Sequence, residues 1–141
     1  MPTTRTATTN WQGSLAEGSG RVALESSGVG TFDVTWVARA EEPGGKTSAE
    51  ELIAAAHSSC FSMALSAALG KAGTPPTSLK TTAEVELTPG TGITGIVITV
   101  AGEVEGITAE QFQEFAEGAK ANCPVSKALA GVDISLNASL A

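Results

Sequence analysis

The sequence has few cysteines, few basic residues and no long uninterrupted apolar run, and each shortage argues against a class of protein. Two cysteines in 141 residues are too few for a small secreted fold held together by disulfides. Eight Lys and Arg against fifteen Asp and Glu give a net charge of −7, without a basic cluster. This balance disfavours a surface that binds nucleic acid or anionic membranes. The 42% share of hydrophobic residues is that of an ordinary globular protein, and the length predicts one domain, residues 1–141.

The most hydrophobic segment predicts a core helix and not a membrane span. It extends from Leu52 to Leu69 and is interrupted by one histidine and four serines. A span needs about 20 mostly apolar residues. The N-terminus leads into Thr-rich sequence without the apolar stretch of a signal peptide. We therefore expect a cytoplasmic protein with no membrane partner. Thiols are reduced there, so the two cysteines suggest redox or metal chemistry.

The spacing of apolar residues predicts an α+β domain with the order β-β-β-α-β-β-α-α-β and mainly antiparallel pairing. Strands are expected where apolar and polar residues alternate: 10–12, 21–25, 31–37, 80–87, 93–101 and 132–140. Residues 102–106 are an optional extension of the fifth strand. Arg39 is expected at the end of the third.

Three helices are expected from capping signals and helix stops. The first extends from a capping box at residues 48–51 to a stop at Gly70. The second begins at a capping box at residues 108–111 and ends near residue 122, and the third is short and begins with Pro124. Because the first helix is apolar or small on every side, it should be surrounded by protein. A partner subunit is expected to supply part of that cover.

Two cysteines and one histidine are the residues best suited to chemistry. Cys60 lies within the apolar helix, where a free cysteine is most often a small core residue. Cys123 precedes a helix that begins with proline, and unpaired N–H groups at such a position lower the pKa of a thiol. Local physics alone therefore favours Cys123 as the thiolate, the alternative being an incidental half-buried residue.

A metal site or a paired-cysteine redox motif is disfavoured by spacing and composition. The cysteines are too far apart in sequence for a CxxC motif or a zinc-finger pair. His57 is the only histidine and shares a helix face with Cys60. It either polarises that thiol or is a satisfied core histidine, and the second is favoured. We expect neither a metal nor another cofactor.

Two segments resemble the signature sequences of the OsmC/Ohr family. They are EELIAAAHSSCFSMAL from Glu50 to Leu65 and CPVSK from Cys123 to Lys127. The histidine at this position of the first segment resembles the pattern of the OsmC branch of the family and not that of the Ohr branch. The resemblance covers nearly the whole chain, including the opening Asn10-Trp11-Gln12-Gly13. It implies the OsmC-like fold, with antiparallel sheets around central buried helices, and an intertwined homodimer that reduces organic hydroperoxides with thiols.

The resemblance also implies roles for individual residues. Cys60 matches the peroxidatic cysteine, Cys123 the resolving cysteine and Glu50 the active-site glutamate. Arg39 matches the arginine of the OsmC branch, whereas Arg21 is the nearest candidate for the Ohr arrangement. An arginine held by a carboxylate offsets the cost of a thiolate in apolar surroundings, which makes Cys60 the reacting thiol in place of Cys123.

The implied reaction needs two small partners. An organic hydroperoxide oxidises Cys60, an intrachain disulfide with Cys123 follows, and an external dithiol, of lipoyl or another type, resets the enzyme. Apolar side chains would hold the alkyl group of the substrate, and the candidates are Phe61, Met63 and Leu52.

Ten residues separate Glu50 from Cys60, which is about 15 Å along one continuous helix. The two groups can therefore meet only between two antiparallel copies, unless the helix breaks. Two other functions stay open at this point. One is a non-catalytic member of the fold that binds an apolar ligand at the dimer interface, and the other is a stress-related interaction protein with idle thiols.

Overall fold

The computed structural model describes residues 1–141, which fold into six strands and four helices. The predicted α+β class and order are confirmed, with one helix more than expected. Residues 1–52 and residues 53–141 form two compact units. The elements are β1 (Thr8–Gln12), β2 (Ser19–Ala23), β3 (Thr31–Val34), α1 (Trp36–Ala40), α2 (Ala49–Lys71), β4 (Ser78–Thr88), β5 (Gly92–Glu103), α3 (Ala109–Asn122), α4 (Pro124–Ala128) and β6 (Ile134–Leu140).

The first unit contains an antiparallel sheet with the order β1-β2-β3. Gly20 pairs with Trp11 across this sheet, and a Cβ at Gly20 would come within 2.9 Å of the Trp11 ring and 3.1 Å of Val34. Only glycine fits at this point without displacing a neighbour. The sheet therefore brings the Trp11 side chain over β2.

The third strand is shorter than predicted, and this changes the position of Arg39. The alternation of apolar residues suggested a strand up to residue 37, but β3 ends at Val34. The Thr35 hydroxyl accepts a hydrogen bond of 3.1 Å from the N–H of Ala38 and caps a helical turn. Arg39 therefore lies in the last turn of α1 and not at a strand end.

The start of α2 contains half of the predicted capping box. The N–H of Glu51 donates to the Ser48 hydroxyl at 3.1 Å, as expected of a cap. The Glu51 carboxylate does not return to the backbone of Ser48, because it accepts a hydrogen bond of 2.6 Å from the Thr47 hydroxyl. Both acidic residues of the first turn, Glu50 and Glu51, favour the positive end of the helix dipole.

The predicted stop of α2 at Gly70 was wrong, because the helix continues to Lys71. The chain leaves the helix at Gly73, whose φ of 85° is readily available only to glycine. The N–H groups of Gly73 and Thr74 donate to the carbonyls of Gly70 and Leu69, at 3.0 and 2.9 Å. This pair of bonds is a Schellman motif, which satisfies the last carbonyls of the helix.

The second unit packs α2, α3 and α4 with a sheet of order β4-β5-β6. β4 pairs antiparallel with β5, and β5 pairs parallel with β6. The predicted capping box of α3 is present in both directions between Thr108 and Gln111. The core residues are Phe61, Leu65, Leu69, Ile96, Ile98, Val100, Val104, Phe112, Ala116, Ala119 and Cys123.

This chain alone leaves one face of α2 uncovered. Ala55, Ala56, Ser59, Met63 and Ser66 are exposed, and only 22% of the most apolar window of the helix is buried. Length and composition would allow such a helix to cross a membrane, a property it shares with core helices of soluble proteins. The expected cover on every side is therefore not provided within one chain.

Candidate active site

Arg39 and Glu50 form a bidentate ion pair in the first unit. The Arg39 Nε donates to both Glu50 carboxylate oxygens at 2.9 and 3.1 Å, and Nη2 donates to Oε2 at 2.9 Å. The Glu50 side chain is buried, with 7% exposed, whereas 39% of the Arg39 side chain is exposed. The pair therefore presents a fixed guanidinium toward open space, with Nη1 left over for another partner.

Both members of the pair are held in their charged forms. Burial would raise the pKa of the Glu50 carboxyl, but hydrogen bonds from Arg39 and from its own backbone lower this pKa below its usual range. The hydrogen bonds to Glu50 raise the pKa of Arg39 against the opposing effect of burial. The site thus contains a permanent cation next to a buried anion.

The alternative arginine, Arg21, takes part in a different contact. Its Nε lies 3.2 Å from the Asp33 carboxylate, its cross-strand partner between β2 and β3. Both side chains are largely exposed, at 69% and 59%, so this is a surface ion pair. The structure brings Arg39 to Glu50 and leaves Arg21 on the sheet surface.

An apolar cavity of about 250 Å³ opens beside Arg39. Its walls include Trp11, Trp36, Leu15 and Leu52, together with the Arg39 side chain. The guanidinium carbon lies 5.9 Å from the centre of the Trp36 ring, which is cation–π distance. Of the predicted substrate-binding residues, only Leu52 lines this cavity. The two tryptophans, the only ones in the chain, were not predicted as site residues from the sequence.

The two cysteines of the second unit face each other as free thiols. Cys60 is partly exposed on α2, and Cys123 is completely buried between α3 and α4. Each thiol affects the ionisation of the other through a hydrogen bond, so the pair titrates together.

The environment of each sulfur favours Cys123 as the thiolate in a single chain. Burial raises the pKa of Cys123, but the Cys60 thiol and the N–H and hydroxyl groups of Ser126 lower it below the usual value. Burial and the neighbouring Cys123 raise the pKa of Cys60. This agrees with the local argument from sequence, which favoured Cys123 at the start of α4.

His57 hydrogen-bonds across the second unit to α4. Its Nε2 lies 2.7 Å from the Ser126 Oγ, and both side chains are buried. Burial lowers the pKa of His57, so the ring is neutral near pH 7. Its Nδ1 is buried without a hydrogen-bond partner. The ring therefore bonds to Ser126 and not to the Cys60 thiol next to it on α2.

The remaining predicted residues occupy opposite environments. Phe61 is completely buried in the core of the second unit, and its role in substrate binding stays a prediction. Met63 is 71% exposed on the uncovered face of α2. No group of three His, Cys, Asp or Glu side chains is arranged to hold a metal ion.

Comparisons with known proteins agree with the fold. Residues 42–137 match the family model described as OsmC-like protein. The chain is 44% identical over 123 residues to the peroxiredoxin OsmC of Escherichia coli (strain K12), and the match covers 85% of each protein. It also resembles the organic hydroperoxide resistance protein OhrB of Bacillus subtilis, with 27% identity, a TM-score of 0.71, and coverage of 95% of this chain and 98% of that one.

A more distant structure supports the fold alone. The OsmC-like protein of Mycoplasma pneumoniae has 13% identity but a TM-score of 0.75, over 99% of both chains. The 96 residues between 42 and 137 are more than half of the sequence, and the identity to the Escherichia coli protein extends over most of both chains. The chain therefore belongs to the OsmC-like protein family.

Proposed function

We propose that this protein is a thiol-dependent peroxidase that reduces organic hydroperoxides to alcohols. The observation that carries the proposal is the contact between a partly exposed and a fully buried free cysteine, Cys60 and Cys123. A substrate would reach the first sulfur, and the second would form a disulfide with it. The relatives named peroxiredoxin and organic hydroperoxide resistance protein support the same chemistry.

The proposed reaction has two bond exchanges. The Cys60 thiolate attacks the terminal oxygen of the hydroperoxide, the O–O bond breaks, and the alkoxide takes a proton and leaves as the alcohol. Cys60 is now a sulfenic acid. The Cys123 thiolate attacks its sulfur, the S–O bond breaks, and hydroxide takes the second proton and leaves as water. An external dithiol, lipoyl or other, then reduces the Cys60–Cys123 disulfide by thiol exchange.

The choice of Cys60 as the attacking sulfur needs a nearby cation, and no positively charged side chain is among the groups that affect its pKa in this chain. Its pKa is raised in the isolated chain, whereas a guanidinium nearby would lower it. In the Arg39–Glu50 pair, the guanidinium carries the positive charge and has a free Nη1. The same cation would stabilise the negative charge that develops on the leaving oxygen.

We infer that a second copy of the chain supplies this pair. The helix α2 continues without a break from Ala49 to Lys71, so about 15 Å of helix axis separate Glu50 from Cys60 of the same chain. Two α2 helices packed antiparallel would bring Glu50 of one copy next to Cys60 of the other. The uncovered face around Met63, which carries no charged side chain between residues 52 and 70, is the surface for that contact.

The apolar cavity is the proposed binding site for the organic part of the substrate. Trp11, Trp36 and Leu52 would bury an alkyl or aryl group, while Arg39 at its edge would hold the peroxide oxygens. This arrangement favours organic hydroperoxides over hydrogen peroxide, which has no apolar group to bury. Met63 of the other copy would extend this apolar wall from the uncovered face of its α2. We place the activity in the cytoplasm, where dithiol reductants are available.

Thiol counting and mass spectrometry test this proposal directly. One equivalent of cumene hydroperoxide should consume both thiols and lower the mass by two hydrogen atoms, with Cys60 and Cys123 linked in the digest. Cys60→Ser should abolish turnover, and Cys123→Ser should leave a sulfenic acid that dimedone traps. Survival of both thiols under excess hydroperoxide would overturn the proposal.

One observation favours a second function, the binding of an apolar ligand without catalysis. The cavity beside Arg39 has a tryptophan-rich wall that would also suit an acyl chain. Under this alternative, a fatty acid would raise the melting temperature while hydroperoxide is left unreduced. A third function, an interaction protein with idle thiols, predicts that Cys60→Ser behaves like the parent in every assay.

A further inference from the structure

The hydrogen bond between His57 and Ser126 lies outside the reaction described so far. Residues 69 positions apart in the sequence are joined at 2.7 Å, with His57 0% and Ser126 5% exposed. Burial of two polar groups costs free energy unless each group forms hydrogen bonds. The other ring nitrogen, Nδ1, is buried without a partner, so the arrangement is not simply a satisfied core histidine.

The unpartnered Nδ1 identifies where the ring proton lies. A buried N–H donor without an acceptor is rarer than a buried acceptor without a donor. The neutral ring therefore carries its proton on Nε2, because that atom has a partner and Nδ1 has none. In this tautomer the ring donates to the Ser126 Oγ, and the hydroxyl hydrogen of Ser126 is left to donate to a further acceptor.

The candidate acceptor is the sulfur of Cys123, which is completely buried at the N-cap of α4, three residues before Ser126. Burial raises the pKa of Cys123, but the Cys60 thiol, the N–H and hydroxyl of Ser126 and the N–H of Val125 lower it below the usual value. No charged side chain is among the groups that affect it. The Cys123 side chain makes no capping hydrogen bond to α4 as a thiol. We expect the donors to bind the sulfur when it ionises, because hydrogen bonds to a charged acceptor are stronger.

We propose that His57 and Ser126 form a hydrogen-bond relay that positions the resolving cysteine and stabilises its thiolate. The relay extends from His57 Nε2–H to Ser126 Oγ and from the Ser126 hydroxyl to Cys123 Sγ. It rests on the proposed function, because a resolving step is what it serves. Both residues are positioning residues, since neither touches the substrate.

The relay accounts for a requirement of the second bond exchange. Cys123 must be a thiolate when it attacks the Cys60 sulfenic acid, so that the S–S bond forms, the S–O bond breaks and hydroxide leaves to become water. Cys123 is completely buried, so water cannot solvate its charge. Oriented neutral donors supply that solvation without introducing a second charge into the core.

A titration that needs no peroxide tests the relay. In the full-length Cys60→Ser protein, Cys123 is the only thiol, and its thiolate is followed by ultraviolet absorbance against pH. Adding Ser126→Ala should move the titration of Cys123 to higher pH, whereas Ser126→Thr, which keeps the hydroxyl, should leave it near the parent. His57→Gln keeps an N–H donor and should resemble the parent, whereas His57→Leu should resemble Ser126→Ala.

The lifetime of the sulfenic acid gives a second measurement in the protein with both cysteines. Ser126→Ala should prolong the Cys60 sulfenic acid about tenfold before the disulfide forms, because one hydrogen bond to a charged group is worth about that factor. Ser126→Thr should restore the faster decay. A merely structural role for Ser126 would lower the melting temperature without separating alanine from threonine in the titration.

The outcomes separate the relay from the peroxidase proposal. If Cys123 titrates at the same pH with and without the Ser126 hydroxyl, the relay is refuted whatever the peroxidase assay shows. If the titrations follow the predicted order but hydroperoxide is not reduced, the peroxidase proposal fails. The relay is then supported as an arrangement of hydrogen bonds that favours the thiolate of Cys123.

Discussion

Arg39 holds both carboxylate oxygens of Glu50 through hydrogen bonds of 2.9 to 3.1 Å, although the two residues lie in different helices. Two guanidinium nitrogens are used, so the plane of the Arg39 side chain is fixed and the third nitrogen points away from Glu50. In the proposed reaction the buried carboxylate takes no step of its own. Its value lies in holding a cation at a defined orientation.

The first prediction concerns this orientation. Arg39→Lys keeps the charge but loses the two-nitrogen contact, and Glu50→Gln removes the charge that holds it. Each should slow the oxidation of Cys60 by an organic hydroperoxide roughly a hundredfold, because a misdirected donor no longer stabilises the leaving oxygen. Stopped-flow measurement of the second-order rate constant gives the comparison.

Arg21→Lys is the matched control for this prediction. Arg21 also pairs with a carboxylate, that of Asp33, but on the exposed surface of the sheet. The rate of Cys60 oxidation in this variant should stay close to that of the parent. A larger loss in Arg21→Lys than in Arg39→Lys would assign the catalytic cation to the other arginine.

The second prediction tests whether the site is shared between copies. Cys60→Ser and Glu50→Gln should each be nearly inactive alone. When the two variants are mixed under conditions that exchange subunits, each mixed dimer would contain one intact site, with Cys60 of one chain and Glu50 of the other. Random exchange makes half of the dimers mixed, so roughly a quarter of the parent activity should return. A site within one chain would leave the mixture inactive.

Most of the fold could be predicted from the sequence because the signals for its helices and strands are local. The capping box of α3, the proline that begins α4 and the alternation in β4 and β5 depend on neighbouring residues, and the structure confirms them. The predicted end of the third strand was wrong for a related reason. Its alternation continues to Trp36, but the Thr35 hydroxyl forms a helix cap, which competes with strand pairing at that residue.

The parts of the site that sequence did not predict depend on contacts between distant segments. Nothing near His57 indicates Ser126 as its partner, because 69 residues separate them and the contact depends on how α2 and α4 pack. Likewise, Phe61 has the composition of a pocket residue, and only the packing of the second unit assigns it to the core. The apolar character of α2 predicted that the helix would be covered on every side, and one chain alone does not provide that cover.

The third prediction concerns the uncovered face of α2. Met63 is 71% exposed there, on a surface without charged side chains. Met63→Glu would place a carboxylate in the proposed contact between copies, where desolvation of an unpaired charge costs several kcal/mol. Analytical ultracentrifugation should show at least about a hundredfold weaker dimer. Met63→Leu keeps the apolar surface and should sediment as the parent does, and an unchanged Met63→Glu dimer would remove this face from the interface.

The fourth prediction is a loss of stability in acid that occurs in two stages. Burial lowers the pKa of His57 below 6.5, so below that pH the unfolded chain binds a proton that the folded chain does not. The free energy of unfolding should therefore decrease as pH falls from about 6.5 toward the folded pKa of the ring, by at most about 1.4 kcal/mol per pH unit. The lowered pKa of Glu50 acts in the same direction below its ordinary value of 4.5, because protonation breaks the pair with Arg39.

Urea unfolding at a series of pH values separates the two stages. His57→Gln has no group that titrates at this position, so its free energy of unfolding should stay level between pH 7 and 5.5, where that of the parent declines. Glu50→Gln should keep the first decline and lose part of the second. The comparison is valid because each variant removes one titrating group and keeps a side chain of similar size. A parent protein whose stability is constant down to pH 5 would show that the buried ring of His57 accepts a proton without penalty, against the lowered pKa that its burial produces.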